Sequence, residues 1–164
     1  MRIANLIKND TVNGEGICVS LWVQGCPHHC KGCHNPEQWD FDGGEYKNND
    51  ILLEEIYDAI SANGIQRNFS ILGGEPLAPQ NINDTYYILW KVKQRYPSIK
   101  TFVWTGYTLE QLKKMYKDTL LENVDVLIDG PFIKAERDIT LKFRGSKNQR
   151  IWKKENNIWK IEDN

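Results

Sequence analysis

Three of the chain's four cysteines fall within eight residues, in the run Cys26-Pro-His-His-Cys30-Lys-Gly-Cys33. Thiolates are soft ligands suited to zinc, copper(I) and iron–sulfur clusters. A C-x3-C-x2-C loop can give one thiolate to each of three irons of a cubane and leave the fourth iron without a protein ligand. An open coordination position is what metal chemistry requires. The competing use is a structural Cys3His zinc site, with His28, His29 or His34 as fourth ligand. Zinc sites more often draw two ligand pairs from separated elements, and these three are the only histidines, so the spacing favours iron and sulfur. A secreted disulfide scaffold would spread its cysteines; clustering in a reducing compartment points to metal. Cys18 stands apart in an apolar run and reads as a small packing residue.

The elements that position this loop follow from periodicity. Ile17, Val19, Leu21 and Val23 alternate with Cys18, Ser20 and Trp22, so 17–23 reads as a strand running straight into the cysteines. Asn13-Gly14-Glu15-Gly16 is a turn signal before it, and residues 3–8 are expected to pair back as a hairpin. Helical spacing over 51–62 starts from Asp50 as expected cap. Residues 69–72 read as a short buried strand broken by Gly73-Gly74-Glu75-Pro76. A second helix spans 84–96 and stops near Pro97, and a strand follows at 100–104. Thr108-Leu-Glu-Gln111 is a capping box opening a third helix through Leu109, Leu112 and Met115 or Tyr116. A strand at 124–128 ends at Asp129-Gly130-Pro131.

Strands alternating with helices predict an α/β fold on a parallel sheet. A closed eight-fold barrel needs about 200–250 residues, more than the 164 present, so an incomplete barrel or an open α/β sheet is expected, as one domain over 1–164. Ligands of such sheets lie at the carboxyl ends of the strands. The cysteine loop, Gly73-Gly74-Glu75, Thr105-Gly106 and Asp129-Gly130 all fall at those ends.

Composition narrows the partners. Net charge is −1, with 21 basic and 22 acidic residues, so no overall field favours nucleic acid or an anionic membrane. No apolar run approaches the ~20 residues that span a bilayer, and the first residues lack the features of a signal peptide; a cytoplasmic protein is expected. A basic stretch from Lys142 to Lys154, with Arg144, Lys147, Arg150 and Lys153, reads either as solvated surface or as a docking surface. Most of the six tryptophans are expected in the core, with Trp104 bordering the site.

The cysteine spacing resembles the signature of the radical S-adenosylmethionine superfamily, and Gly73-Gly74-Glu75, forty residues after Cys33, is similar to its Gly-Gly-Glu motif. A carboxylate beside flexible glycines can also accept hydrogen bonds from an ammonium group. The resemblance implies a [4Fe–4S] cluster on Cys26, Cys30 and Cys33, with S-adenosylmethionine chelating the free iron. An electron from the reduced cluster then cleaves the sulfur–C5′ bond, giving methionine and a 5′-deoxyadenosyl radical. Gly32, Cys33 and His34 are implied as a backbone edge against that cosubstrate, and Gly74 and Glu75 as contacts to its methionyl end. The residue before the last cysteine is often bulky in the superfamily; Gly32 favours a subfamily that uses glycine there.

Five further segments narrow the resemblance: Val12-Asn13-Gly14, Cys33-His34-Asn35-Pro36, Val103-Trp104-Thr105-Gly106-Tyr107, Val124 to Gly130 and Arg144 to Arg150. Together they look like the anaerobic ribonucleotide reductase-activating proteins, over about residues 5–152, with the tail 152–164 unassigned. The resemblance implies an incomplete (β/α) barrel of the radical S-adenosylmethionine type with a mostly parallel sheet. It also implies the reductase's large subunit as partner and protein substrate, whose glycine Cα loses a hydrogen atom to become a stored glycyl radical. A low-potential electron donor such as flavodoxin is implied as well. The open side of a truncated barrel suits a peptide loop. The rivals are a radical enzyme acting on a small molecule and a non-enzymatic zinc module. The ring-contracting pterin-modifying type would carry a longer insertion between its first two cysteines, which is absent.

Overall fold

The computed structural model describes residues 1–162, the side chain of residue 118 apart. In chain order the strands are β1 (Arg2–Asp10), β2 (Cys18–Val23), β3 (Glu45–Tyr46), β4 (Asn68–Gly73), β5 (Thr101–Trp104), β6 (Val126–Asp129), β7 (Arg150–Glu155) and β8 (Ile158–Ile161). The helices are α1 (Asn49–Ile60), α2 (Ile82–Arg95) and α3 (Leu109–Met115). Among the described residues the strands form one sheet in the order β3-β1-β2-β4-β5-β6-β7-β8. Its centre, β2-β4-β5-β6, is parallel, and these four strands are largely buried on both faces, as parallel strands need to be.

Helices α1, α2 and α3 cover one face. Leu52, Ile56 and Ile60 of α1, Leu89 and Val92 of α2 and Leu112 of α3 share a core with Val19, Leu21, Ile71, Val103 and Leu127. Each such fully buried aliphatic side chain contributes about 1.5–3 kcal/mol. The alternate residues point to the opposite face, where Phe102, Val126, Ile128 and Ile151 pack with Trp104 and Phe143. Cys18 is buried, and the place of a Cβ on Gly14 would lie 2.5 Å from its Sγ and 3.0 Å from Ser70 Oγ. Its packing role follows from that fit.

The sheet does not close. An open α/β sheet forms, and antiparallel hairpins flank the parallel centre on both sides: β1 pairs with β2 and β3, and β7 with β6 and β8. The sheet is therefore mixed, parallel at its centre rather than over most of its width. The tail left unassigned from sequence supplies one of those edges. Asn156 and Asn157, at φ of 50° and 63°, make the left-handed two-residue turn that matches strand twist, and Trp152 pairs with Ile161 across it. Residues 163 and 164 lie outside the described residues.

Helix boundaries shift slightly from expectation. The cap of α1 is Asn48, whose Oδ1 accepts from the N–H groups of Asp50 (2.9 Å) and Ile51 (3.4 Å); the expected cap, Asp50, instead accepts from Tyr87 Oη at 2.8 Å. Helix α2 starts two residues earlier than expected. The capping box of α3 forms as read: Thr108 Oγ1 accepts from Gln111 N, and Gln111 Oε1 accepts from Thr108 N at 2.8 Å. Among the described residues no helix is long and apolar enough to cross a membrane.

Candidate metal centre

The cysteine loop leaves the carboxyl end of β2 through Gln24 and Gly25. Gly25 sits at φ +91°, and the ring of Phe41 occupies the place a side chain would take, 2.1 Å from an added Cβ. The N–H groups of Gly25 and Cys26 donate to the carbonyls of Gln38 and Trp39, at 3.0 and 3.1 Å. Gln24 Nε2 donates to the carbonyls of Glu37 and Asp40. Residues 26–37 are thereby pinned at their neck as a compact lobe. Inside it, Cys33 N–H donates to Cys30 O at 3.0 Å, with Gly32 at φ +78°.

All three thiols of the lobe are free and half-buried. Burial pushes the Cys26 thiol up to about 11, so a metal bound there must displace its proton. The N–H of Asn35 points at Cys33 Sγ from 3.4 Å, the kind of amide contact that tunes an iron–sulfur cluster. The donor set fits such a cluster. A cubane takes each thiolate at a different iron, so its ligands surround it without meeting at one point. The histidines of a Cys3His alternative are otherwise engaged: His28 on Glu75, His29 stacked on Trp39 at 4.7 Å and His34 tilted against Phe132 at 5.9 Å.

The Gly-Gly-Glu loop packs directly onto the neck of the lobe. A Cβ on Gly74 would lie 2.5 Å from the carbonyl oxygen of Gly25, and one on Gly73, at φ +105°, would lie 2.9 Å from Val23 N and O. Only glycines permit that approach. The N–H of Gly74 donates to Val23 O, and that of Glu75 to Gly25 O at 2.8 Å. Asn81 Nδ2 reinforces the seam by donating to the carbonyls of Gln24 and Glu75.

Glu75 itself is fully buried. Its Oε1 accepts from Leu77 N (2.9 Å) and Thr105 Oγ1 (2.8 Å); its Oε2 accepts from Gly106 N (2.7 Å) and lies 2.8 Å from His28 Nε2. A carboxylate offers about four acceptor positions, and all four face protein. The side chain read from sequence as a receptor for an ammonium group is a junction between three loops. Burial demands those partners, since an unpartnered carboxylate away from water would be very costly.

The remaining strand ends close the same edge. Thr105 N–H donates to Ile128 O, and Gly130 N–H to Tyr107 O. Asp129 is buried, accepting from Leu109 N and from Arg150 Nε and Nη2. The segment after Gly130 passes beside the lobe: Phe132 meets His34, and a Cβ on Gly32 would lie 2.9 Å from the Lys134 side chain. Cys26, Cys30, Cys33, Gly32, His34, Gly74 and Glu75 are thus gathered at one edge of the sheet, with Thr105 and Gly106. Trp104 turns away, its Nε1 donating to Phe143 O.

Comparison with known proteins agrees with this picture. The model of the 4Fe-4S single cluster domain family matches residues 12–152. An anaerobic ribonucleoside-triphosphate reductase-activating protein of Haemophilus influenzae is 39% identical over 152 residues, covering 92% of this chain and 97% of its own. Namesakes from Enterobacteria phage T4 (37% over 153 residues, 92% and 93% of the chains) and Escherichia coli K12 (34% over 141 residues, 85% and 90%) align almost as fully. The chain belongs to the anaerobic ribonucleoside-triphosphate reductase-activating protein family.

Sequence reasoning left three contributors to this family member's site short of a role. His28 was weighed as a zinc ligand or a loop residue; its position between two cysteines, within reach of the next strand's loop, is the signal that marks it. A strand-end turn explains Thr105 and Gly106 nearly as well as a site does from sequence, and their contact with Glu75 is what separates the two.

Proposed function

We propose that this chain holds a [4Fe–4S] cluster on Cys26, Cys30 and Cys33, binds S-adenosylmethionine at the iron those thiolates leave free, and generates the glycyl radical of an anaerobic ribonucleoside-triphosphate reductase. The observation that carries the reading is the seam between the cysteine lobe and the Gly-Gly-Glu loop, in a chain of the reductase-activating family. When bound, the reduced cluster supplies the electron that splits the sulfonium into methionine and a carbon radical able to take hydrogen from a glycine Cα.

The protein's part is to bind and aim. The pinned neck anchors the lobe that carries the three thiols beside the strand ends. Because the Glu75 carboxylate is saturated by protein donors, the methionyl end meets the backbone of Gly74 and Glu75 rather than that carboxylate. Gly32, Cys33 and His34 supply a second backbone edge. The substrate is a peptide segment of the reductase large subunit, and a low-potential electron donor such as flavodoxin reduces the cluster. The lobe stands at the carboxyl ends of the central strands with many of its residues exposed, where a macromolecule can reach it.

The test is anaerobic reconstitution with iron and sulfide, followed by reduction in the presence of S-adenosylmethionine and a reductase whose glycines carry deuterium. Label should appear in 5′-deoxyadenosine, and the electron paramagnetic resonance spectrum should show a glycyl doublet with ordinary reductase that collapses to a narrow signal with the deuterated one. Ser in place of Cys26, Cys30 or Cys33 should abolish cluster and label transfer, whereas Cys18→Ser should keep both. A colourless protein with one zinc and no sulfide would defeat the reading.

A further inference from the structure

We infer that His28 is a positioning residue, which locks the cysteine lobe to the Gly-Gly-Glu loop through the carboxylate of Glu75 and so sets the spacing between bound cluster and bound cosubstrate. The inference deepens the function proposed above and rests on it. It assigns a task to a residue that neither ligates metal nor touches the reacting atoms.

The ring of His28 occupies a built seat. Nε2 lies 2.8 Å from Glu75 Oε2, with side chains only 18% and 1% exposed. The ring meets Tyr107 edge-on, with centroids 4.5 Å apart and planes at 68°. Its third wall is Gly106, where a Cβ would fall 2.5 Å from His28 Cδ2 and 2.6 Å from Nε2. Gly106 has a backbone conformation open to any residue, so its missing side chain serves the ring and not the turn. Glycine at 106 and histidine at 28 are two halves of one fit.

Position in the chain gives this seat its consequence. The hydrogen bonds that pin the lobe at Gly25 and Cys26 lie at its neck, whereas His28 reaches out from between Cys26 and Cys30 to the loop that follows β4. Glu75 passes the constraint on, because the oxygen that faces His28 also accepts from Gly106 N, and its partner oxygen holds Thr105 and Leu77. Releasing His28 frees the lobe to tilt about its neck while keeping the three thiols in the same arrangement within it. Cluster content should then survive, and cosubstrate affinity should fall.

The experiment compares His28→Ala, His28→Gln, Gly106→Ala and the His28→Ala/Gly106→Ala double variant with the wild type. Iron and sulfide per chain are counted after reconstitution. Affinity for S-adenosylmethionine is read from its effect on the reduced cluster's paramagnetic spectrum, and exchange of the amide at position 106 is measured in the metal-free protein. His28→Ala should keep its iron and sulfide, bind the cosubstrate about tenfold more weakly and exchange the 106 amide faster. His28→Gln, whose amide can donate to Glu75, should recover much of the loss. Gly106→Ala should reproduce the His28→Ala defect, since its methyl group expels the ring, and should add nothing in the double variant. Unchanged affinity and exchange in His28→Ala would overturn the inference. So would additive defects in the double variant, or loss of iron in His28→Ala, which would make His28 part of the cluster's own ligation. If wild-type protein carries no cluster or ignores S-adenosylmethionine, the proposed function falls. The metal-free exchange pattern then still decides the lock: faster exchange in His28→Ala and in Gly106→Ala supports it, and no change in either overturns it.

Discussion

Two carboxylates are buried at the same edge of the sheet, and the protein compensates their charges in different ways. Asp129, the last residue of β6, faces a full cation: Arg150 of β7 engages both its oxygens, and the N–H of Leu109 at the start of α3 adds a third donor. Glu75, two residues beyond β4, is held by two backbone N–H groups, a hydroxyl and an imidazole. A guanidinium fork fixes a carboxylate in place and neutralises it. Dipoles drawn from separate loops satisfy a carboxylate only while those loops stay together. The Asp129 cluster is a weld between β6, β7 and α3. The Glu75 cluster is a joint between the cysteine lobe and two strand ends, so its integrity is coupled to the site.

The comparison is broken most severely from the Asp129 side. Arg150→Met leaves a buried carboxylate with one backbone donor, a change that costs about 3 kcal/mol when a buried pair loses one partner. Urea unfolding should show a loss of that size. Iron and sulfide bound per folded chain should be unchanged, because no donor to the lobe is touched. If cluster content fell in step with stability, the weld and the joint would be one unit.

A smaller loss of stability with a larger effect on the site is expected from Glu75→Gln. Whichever way the amide is turned, its NH2 group faces a backbone N–H, that of Leu77 on one side or of Gly106 on the other. A buried donor left without an acceptor costs about 1–3 kcal/mol. The melting temperature should drop less than in Arg150→Met, while affinity for S-adenosylmethionine should drop more. Equal affinity with lowered stability would reduce Glu75 to a second weld.

The two carboxylates also differ in how far sequence foretold them. Glu75 stood out through its neighbours, because Gly73-Gly74 announces a close backbone approach. What its carboxylate holds depends on His28, Thr105 and Gly106, which are 47, 30 and 31 residues away along the chain, and no local pattern encodes such partners. Asp129 read as part of a strand-end turn, and Arg150 as part of a basic stretch, either solvated surface or docking surface. Pairing of β7 beside β6, with Asp129 opposite Arg150, removes Arg150 from that surface. The strand at 17–23 was legible from its alternation, and those at 69–72, 100–104 and 124–128 as short, largely apolar runs of the kind buried parallel strands need. The β7–β8 hairpin was missed although Asn156-Asn157 is a turn signal, because β7 is lysine-rich and only partly buried and β8 is mostly exposed.

The smallest expected effect tests the outer rim of the weld. Arg150 also donates to both oxygens of Glu110, and this hydrogen bond holds the Glu110 carboxyl down to about 2, against an ordinary 4.5. A carboxyl lowered on folding contributes stability that is fully present above its unfolded value and fades as pH falls through the folded one. The window therefore runs from about 4.5 down to about 2. Because the Glu110 side chain is 58% exposed, solvent screens the pair, and its contribution at neutral pH should be about 0.5–1 kcal/mol. Glu110→Gln should lower the urea midpoint slightly at neutral pH and flatten its decline through that window, with added salt shrinking the difference. A variant that tracked the wild type in parallel down the whole acid limb would show that Arg150 spends its charge on Asp129 alone. The contrast with Glu75 would then be sharper, since one carboxylate would own its cation outright while the other relied on shared dipoles.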